Sequence, residues 1–513
     1  MNFDLRRWAE LDPQRIAIRT EGAAMRYGEL EALANQVAHT LRSLGIVRGD
    51  HVAAVVGNDP MVFPLIWGAY RVGAYLTPIA ATASAADAAY VIQDCDARVV
   101  VVSADAAATL GELPGRVKTR PVWLSVRGAM AGFQPLGPLL TSHAATPVAE
   151  ESSGALMMYT SGTTGRPKGV ERALPAQKLG TPSFAADLID MFDIREGSLY
   201  LSTAPLHHAA PLRWSLAFQA AGGSVLVMSR FDAAHALDLM ERERVTHSQW
   251  VPTMFNRLLA LPEERRRAFH APHHRVAVHA AAPCPVPVKR AMIAWWGPII
   301  EEYYSGSEGV GLTAIGTQEW LERPGSVGRA RKGSLHVLGE DDRELTAGEV
   351  GRVFFSGIAP FAYRHDPEKT AARTSRQGYQ TFGDVGYVDE AGYLFLTDRL
   401  DDMIISGGVN IYPQELEAAL CEMSQVSEAA VIGAPDADFG ERPVAFVVPR
   451  AAPEDAEAFV AGVDAWCRER LGRIKRPKEI RMVDALPYSA QGKLLRRELR
   501  RMLAGNAEAG PSS

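Results

Sequence analysis

Residues 159–169 have the sequence Tyr159-Thr-Ser-Gly-Thr-Thr-Gly-Arg-Pro-Lys-Gly169 and follow the apolar run Ala155-Leu-Met-Met158. Four Ser and Thr hydroxyls, three glycines and one lysine lie within these eleven residues. Glycine lets the backbone approach a ligand closely, so that successive N–H groups can converge on an anion. The stretch therefore predicts a polyphosphate-binding loop, with a polar surface turn as the alternative. It is not a Walker A loop, because Pro167 stands where the glycine before the lysine would be.

Short apolar runs and helical patterns alternate on both sides of this loop. Residues 51–56, 99–102 and 225–228 indicate short buried strands, and apolar residues recur at helical spacing over residues 30–41. After about residue 330, Gly, Asp and Glu turns separate short strands, which is typical of antiparallel pairing. We therefore predict an α/β fold with a large layered N-terminal domain of parallel-rich sheets and helices, a small β sub-domain, and a small α+β C-terminal domain.

The composition is that of an ordinary globular chain, with 513 residues, 47% hydrophobic and 22% charged. The net charge of −6 gives no support to a nucleic-acid partner. Four widely separated cysteines without a CxxC pair exclude a disulfide framework and a zinc motif. Charges near the start replace the apolar run of a signal peptide, and Arg71 interrupts the apolar stretch 61–81. We therefore predict no integral membrane segment and a cytoplasmic location.

Four more motifs follow the loop in order. They are Tyr303-Tyr-Ser-Gly-Ser-Glu-Gly309, Gln380-Thr-Phe-Gly-Asp384, the segment 398–415 that begins Asp398-Arg-Leu-Asp-Asp402, and Pro487-Tyr-Ser-Ala-Gln-Gly-Lys493. Together with the loop they resemble the adenylate-forming superfamily, which includes acyl-CoA synthetases, firefly luciferase and non-ribosomal peptide adenylation domains. Three departures from the family pattern are Ser305 and Ser307, which replace a Gly and a Thr, and the additional Phe382.

The resemblance implies a division of the chain into two domains. An N-terminal AMP-binding and acyl-binding domain would comprise residues 1–398, a hinge residues 399–402, a C-terminal lid residues 403–503, and a disordered tail residues 504–513. In this family the lid rotates about the hinge between two half-reactions, and Asp401 is at the hinge position. We expect the same rotation here.

The resemblance also implies an ATP site with Mg²⁺. Asp384 would accept the ribose hydroxyls, Arg399 would donate to ribose or phosphate oxygens, Tyr304 would stack on adenine, and Glu308 would hold Mg²⁺, which favours hard oxygen ligands. Ser307 would bond the α-phosphate. The remaining expected ATP or AMP contacts are Thr160, Ser161, Gly162, Thr163, Thr164, Gly165, Lys168, Ala281, Ala282, Pro283, Ser305 and Gly306. Ala280 stands where the family has the first glycine of its adenine loop.

Lys493 matches the family's catalytic lysine, which bridges the carboxylate of the acid and the α-phosphate. The physical need is a mobile cation, because the attack brings two anions together.

After rotation, Ser406, Gly407 and Gly408 would leave room for the thiol arm of CoA. His208 would act at the acyl site, where we also expect His207, Trp214, Trp250 and Gly309. The basic run Arg473, Lys475, Arg476 and Lys478 is either a solvated face or a contact for the CoA phosphates.

We therefore predict an AMP-forming acyl-CoA synthetase that uses ATP, CoA and a hydrophobic monocarboxylic acid. Arg213 is the residue that would serve a second carboxylate. CoA is favoured over a carrier protein because segment 406–413 resembles CoA ligases and the chain extends only to Ser513 after Lys493. The alternatives are an acid–AMP ligase that loads a separate carrier protein, a non-catalytic nucleotide-binding protein and, more distantly, a luciferase-type oxygenase. A homodimer is expected from the family alone.

Overall fold

A computed structural model describes residues 5–160, 167–174, 184–407, 409–488 and 494–505. The α-helices, numbered in chain order, are α1 Leu5–Leu11, α2 Tyr27–Ser43, α3 Val62–Arg71, α4 Ala85–Asp94, α5 Ala107–Leu110, α6 Leu113–Arg116, α7 Leu136–Thr141, α8 Phe184–Met191, α9 Ala209–Ala220, α10 Ala233–Arg242, α11 Pro252–Leu259, α12 Glu263–Ala268, α13 Val286–Trp296, α14 Thr317–Glu322, α15 Pro367–Ala372, α16 Pro413–Cys421, α17 Ala456–Arg470 and α18 Arg496–Gly505. Short 3-10 helices span Ala104–Ala106 and Leu400–Asp402.

The strands form four sheets and are also numbered in chain order. They are β1 Ile16–Arg19, β2 Ala24–Arg26, β3 His51–Val55, β4 Tyr75–Pro78, β5 Ala97–Ser103, β6 Val122–Val126, β7 Gln134–Pro135, β8 Ala155–Leu156, β9 Met158–Thr160, β10 Lys168–Arg172, β11 Leu199–Ser202, β12 Ser224–Val227, β13 His247–Trp250, β14 Val276–His279, β15 Ile300–Tyr304, β16 Leu312–Ile315, β17 Ser326–Lys332, β18 Ser334–Leu338, β19 Gly351–Ser356, β20 Phe361–Tyr363, β21 Asp384–Val388, β22 Leu394–Arg399, β23 Ile404–Ser406, β24 Val409–Ile411, β25 Val426–Asp436, β26 Gly440–Pro449 and β27 Glu479–Met482.

The first large sheet is fully parallel and has the order β7-β6-β5-β3-β4-β8. Its central strand β5 carries four successive buried valines, Val99–Val102, because parallel strands are covered on both faces. On one side, α2 and α3 pack closely at Gly68, where an added Cβ would come within 2.5 Å of Val37 Cγ1. The predicted strands at 51–56 and 99–102 are thus confirmed as the middle of this sheet.

The largest sheet joins a parallel half to an antiparallel half. Strands β1, β12, β11, β13, β14 and β15 are parallel neighbours, and β16, β17, β22, β21, β19 and β18 continue the sheet by antiparallel pairing. The adenine-loop and Glu308 motifs follow the carboxyl ends of β14 and β15, which is where open parallel sheets bind ligands. The β21–β22 pairing places Asp384 opposite Arg399.

A small antiparallel sheet, β20-β10-β9, lies next to the predicted phosphate loop. Its register places Lys168 opposite Thr160 and Val170 opposite Tyr363. Backbone pairing therefore joins the end of the predicted phosphate loop to Phe361–Tyr363, a distant part of the sequence.

The C-terminal part is a separate α+β unit built on the sheet β24-β23-β26-β25, with β27 parallel to β26. Helices α16 and α17 share one hydrophobic core with this sheet, including Leu416, Leu420 and Val463. Leu499 of α18 packs with Ile432 in a second core. The predicted fold class, a large α/β domain with a small α+β domain, is confirmed. No helix in the described ranges combines the length and the apolar composition needed to cross a membrane.

Candidate active site

Three predicted ATP-site residues meet at the carboxyl end of β15. The Tyr304 hydroxyl donates a 2.5 Å hydrogen bond to Oδ2 of Asp384, and Nε of Arg399 lies 3.4 Å from Oδ1 of the same carboxylate. Burial and the Asp384 charge hold the pKa of Tyr304 well above its usual value, so the hydroxyl stays protonated and donates. Phe382 packs edge-on against the Tyr304 ring at 5.3 Å.

Glu308 lies in the turn that follows β15 and is 9% exposed. Its Oε1 accepts a 2.8 Å hydrogen bond from the Tyr363 hydroxyl, which comes from the small sheet. Nη1 of Arg172 donates to the carbonyls of Glu308 at 3.2 Å and of Gly309 at 2.8 Å. Nη2 of Arg172 donates to the Ala359 carbonyl. The turn is thereby held from the side of the phosphate loop.

The backbone of the turn requires a glycine at position 309. Its φ is +62°, and an added Cβ would come within 2.4 Å of Arg172 Nη1. Arg213 also faces this turn, because its Nη2 donates to the Ser307 carbonyl at 3.3 Å. Ser305 Oγ closes the turn by donating to the Gly311 carbonyl at 2.8 Å. Burial and the nearby Arg213 lower the pKa of Arg172.

Lys168 forms an ion pair with Asp366, the N-cap residue of α15. The hydrogen bond from Lys168 lowers the pKa of the Asp366 carboxyl. The Lys168 ammonium also lies 5.9 Å from the Tyr363 ring centroid. The predicted phosphate-loop lysine thus has a carboxylate partner in the described part of the chain.

The predicted adenine loop follows β14 directly. Ala280 is 5% exposed, whereas Ala281 is exposed and has a φ of +73°. The left-handed conformation costs a non-glycine residue roughly 1–2 kcal/mol. The strained position in this loop is therefore Ala281 rather than Ala280, the position where the family has its first glycine.

His207 and His208 precede α9, and His208 is its N-cap residue. Their ring centroids are 3.8 Å apart. Burial lowers the pKa of His207 to about 4, and burial together with His207 lowers the pKa of His208 to about 2. Both imidazoles are therefore neutral at neutral pH. They can bond a substrate oxygen but do not supply a positive charge.

Trp214 and Trp250, both predicted in the acyl pocket, belong to different aromatic clusters. Trp214 packs with Phe192 at 4.9 Å and with Tyr303 at 6.4 Å, next to Tyr304. Trp250 is 1% exposed and packs against Trp296 at 5.4 Å in the core beneath β13 and β14. Both tryptophans are 1% exposed, and their place in the acyl pocket stays a prediction.

A family model for AMP-binding enzymes matches residues 5–362, and a model for the AMP-binding enzyme C-terminal domain matches residues 415–493. The chain belongs to the AMP-binding enzyme family.

Relatives of this AMP-binding enzyme cover nearly its whole length. The long-chain-fatty-acid–CoA ligase FadD13 of Mycobacterium tuberculosis is 33% identical over 93% of this chain and 92% of its own. The fatty acid–[acyl-carrier-protein] ligase ScoC of Streptomyces coeruleorubidus is 29% identical over 97% and 95%. The crystal structure of ATP-bound MatB from Rhodopseudomonas palustris has a TM-score of 0.84 at 30% identity and covers 98% of this chain and 99% of its own. The predicted superfamily is thus confirmed.

Several predicted residues of this AMP-binding enzyme lie outside the described residues. They are Ser161, Gly162, Thr163, Thr164, Gly165, Gly408, Lys493 and the Asp401 side chain. Ser406 is described and 2% exposed. Gly407 has a φ of +57° and donates its N–H to the Phe439 carbonyl.

Sequence reasoning missed Arg172, Tyr363 and Asp366. Arg172 comes three residues after the phosphate-loop motif, and Tyr363 lies in a stretch without a quoted motif. Their roles arise from the pairing of β10 with β20, which no local pattern reveals. Arg213 was predicted only as a partner for a second carboxylate, and it lies against the turn that carries Ser307 and Glu308.

Proposed function

We propose that this AMP-binding enzyme is an AMP-forming acid–CoA ligase. A carboxylate of the acid attacks the α-phosphorus of ATP, the bond to the β-phosphate oxygen breaks, and acyl-AMP and pyrophosphate form. The CoA thiol then attacks the acyl carbon, loses its proton, and AMP leaves with the bonding electron pair. No covalent bond to the protein is needed in either step.

The contact of Tyr304 and Arg399 with Asp384 carries this proposal. It provides a buried carboxylate with free acceptor capacity for a ribose diol, held by a phenol that keeps its proton. Glu308 lies in the turn that follows Tyr304. A carboxylate at this position suits Mg²⁺, because this ion keeps several waters and binds one or two carboxylates plus substrate phosphates. Bound Mg²⁺ would neutralise phosphate charge. Among the described residues, no cluster of three or more His, Cys, Asp or Glu forms a separate metal site.

The other predicted roles are part of the same proposal. Lys168 and the loop residues 160–165 bind phosphates, Ala281, Ala282 and Pro283 flank adenine, and Lys493 neutralises the attacking carboxylate and the α-phosphate. Ser406, Gly407 and Gly408 make room for CoA. His207, His208, Trp214, Trp250 and Gly309 line the acyl site, and the acid has an apolar body. A homodimer and a cytoplasmic location stay predictions.

The second candidate is a ligase that loads a carrier protein, and the relative ScoC supports it. Pyrophosphate release with ATP and Mg²⁺ over a panel of fatty, aryl and alicyclic acids, with and without CoA, tests both. Continuous turnover that depends on CoA supports the ligase. Release limited to about one equivalent per enzyme, with or without CoA, favours the carrier-loading enzyme instead. No release with any acid and no binding of ATP by calorimetry would contradict both.

A further inference from the structure

An ion cluster lies where the two domains join. Arg496 is the first residue of α18, and its Nη2 is 2.9 Å from Oε1 of Glu417 in α16. Its Nε is 3.6 Å from Oδ2 of Asp402, which ends the 3-10 turn after β22. The three side chains are only 12–17% exposed. One guanidinium therefore connects two elements of the small domain with the predicted hinge turn.

A third carboxylate extends the cluster into the large domain. Asp398 is 2% exposed and accepts the backbone N–H groups of Arg399 at 2.7 Å and Gln414 at 3.1 Å. Burial raises the pKa of Asp398 to about 6 and that of Glu417 to about 7. Arg500 approaches Asp402 only to 3.8 Å. Arg496 thus pairs with Asp402 and Glu417, and its charge also lowers the pKa of Asp398 against the effect of burial. Removal of one partner from a buried ion pair leaves uncompensated charge.

Arg496 also lies next to the segment that carries Lys493. Tyr488 and Leu494, on either side of residues 489–493, pair in an antiparallel bridge, and the Leu495 N–H donates to the Pro487 carbonyl at 2.8 Å. Both ends of the segment are therefore joined at its base. Arg496 follows immediately and fixes this base to Asp402. Through Arg496 the start of α18, directly after this base, is linked to the hinge turn.

We infer that Arg496 is a positioning residue for acyl-AMP formation, because it links the start of α18, directly after Leu494 and Leu495, to Asp402 in the hinge turn and to Glu417 in α16. The inference rests on the proposed function and on the role proposed for Lys493. Arg496 does not touch substrate in this role. It acts through the placement of another residue, and misplacement of a reacting group by about 1 Å can cost roughly a hundredfold in rate.

A different result is expected if the Arg496 ion pairs only stabilise the fold. Loss of a fold-stabilising contact would lower the melting temperature and impair both half-reactions alike. Loss of the positioning contact should impair only the half-reaction that uses Lys493. Transfer of the acyl group from supplied acyl-AMP to CoA does not need this lysine and provides the internal comparison.

The test uses the full chain and the acid that the wild-type protein uses fastest. Arg496→Ala should lower kcat for pyrophosphate release at least about tenfold, with KM for ATP within about twofold and thioester formation from supplied acyl-AMP within about threefold. Arg496→Lys keeps the charge but not the two-sided contact and should recover part of kcat. Arg497→Ala is the matched control, because Arg497 is exposed and pairs only with the adjacent Glu498 among described residues.

If Arg496→Ala does not fold, the same comparison is made with Arg496→Lys and Glu417→Gln. For each variant, the rate of pyrophosphate release is compared with the rate of thioester formation from supplied acyl-AMP. Equal losses in both half-reactions, or no loss beyond that of Arg497→Ala, would overturn the inference. A wild-type protein that releases no pyrophosphate with any acid would instead contradict the proposed function. The two failures are therefore distinguishable.

Discussion

The Asp384 carboxylate contacts both Tyr304 and Arg399, and substitution by the isosteric asparagine removes its charge while keeping its shape. Asp384→Asn keeps an acceptor oxygen for the Tyr304 hydroxyl but removes the charge that faces Arg399. A hydrogen bond to a charged group contributes about 1.5–3 kcal/mol, so we expect KM for ATP to rise roughly 10- to 150-fold. Pyrophosphate release at varied ATP concentration measures this change.

Asp389→Asn is the matched control in the same hairpin. Asp389 accepts the backbone N–H groups of Ala391 and Tyr393 at the far end of β21 and β22. We expect its KM for ATP to stay within about twofold of wild type. An equally small change for Asp384→Asn would remove Asp384 from the nucleotide site.

The neutral histidines make a prediction about pH. The folded-state pKa of His207, about 4, lies below the ordinary value of 6.5. Below pH 6.5 the unfolded chain therefore binds a proton that the folded protein does not. Protonation of His207 then favours the unfolded state, so the free energy of unfolding decreases as the pH falls from 6.5 towards 4. His207→Phe has no group that titrates at this position. The melting temperature of this variant, relative to that of wild type, should therefore increase as the pH is lowered from 6.5 towards 4. A constant difference between pH 7 and pH 4.5 would contradict the burial of a neutral His207.

Single residues were predictable where they belong to a motif with a chemical need. The motifs containing Asp384, Tyr304 and Arg399 are far apart in sequence, yet their side chains make direct contacts. Sequence reasoning cannot assign the packing of an aromatic residue, because a tryptophan near a site and one in a core have the same local sequence signals. Trp214 packs with Phe192 and Trp250 with Trp296, and neither contact is visible in the sequence.

At the level of elements, the turn after β15 needs glycine at position 309. Gly309→Ala adds a positive-φ penalty of roughly 1–2 kcal/mol and pushes on Arg172, which holds the Glu308 and Gly309 carbonyls. We expect kcat for pyrophosphate release to fall at least about tenfold, because Glu308 would lose its position.

Gly392→Ala separates the backbone penalty from the contact. Gly392 has a φ of +80°, but an added Cβ would have its nearest neighbour at 4.0 Å. This variant carries the backbone penalty alone, so it should lower the melting temperature by no more than Gly309→Ala does and keep kcat within about twofold. Similar activity of the two variants would show that the Arg172 contact does not support the turn.

Alternating strands and helices predicted the parallel sheets, because continuous runs such as Val99–Val102 occur where both faces are buried. The small sheet β20-β10-β9 was not predicted. Its register joins Val170 to Tyr363, and a pairing across so many residues leaves no periodic signal in either strand. Arg172 and Tyr363 were therefore missed as supports of Glu308, although both lie close to it.

At the scale of the whole molecule, the two proposed half-reactions need different groups beside one bound acyl-AMP. The Ser406–Gly407 hairpin and the residues on both sides of the Lys493 motif belong to the small domain, which is joined to β22 by the 3-10 turn Leu400–Asp402. Rotation about this turn would exchange them. Proline restricts φ to about −65°, and it also restricts the residue before it.

Asp401→Pro should therefore hold the small domain near one orientation. We expect one half-reaction, pyrophosphate release or thioester formation from supplied acyl-AMP, to stay within about threefold of wild type and the other to fall at least about tenfold. Asp401→Ala is the matched control, since it removes the same carboxylate and leaves the backbone free, and it should keep the ratio of the two rates. A proline variant that retains both half-reactions would show that the domains need not rotate, and Lys493 and the hairpin would then have to reach acyl-AMP from one fixed arrangement.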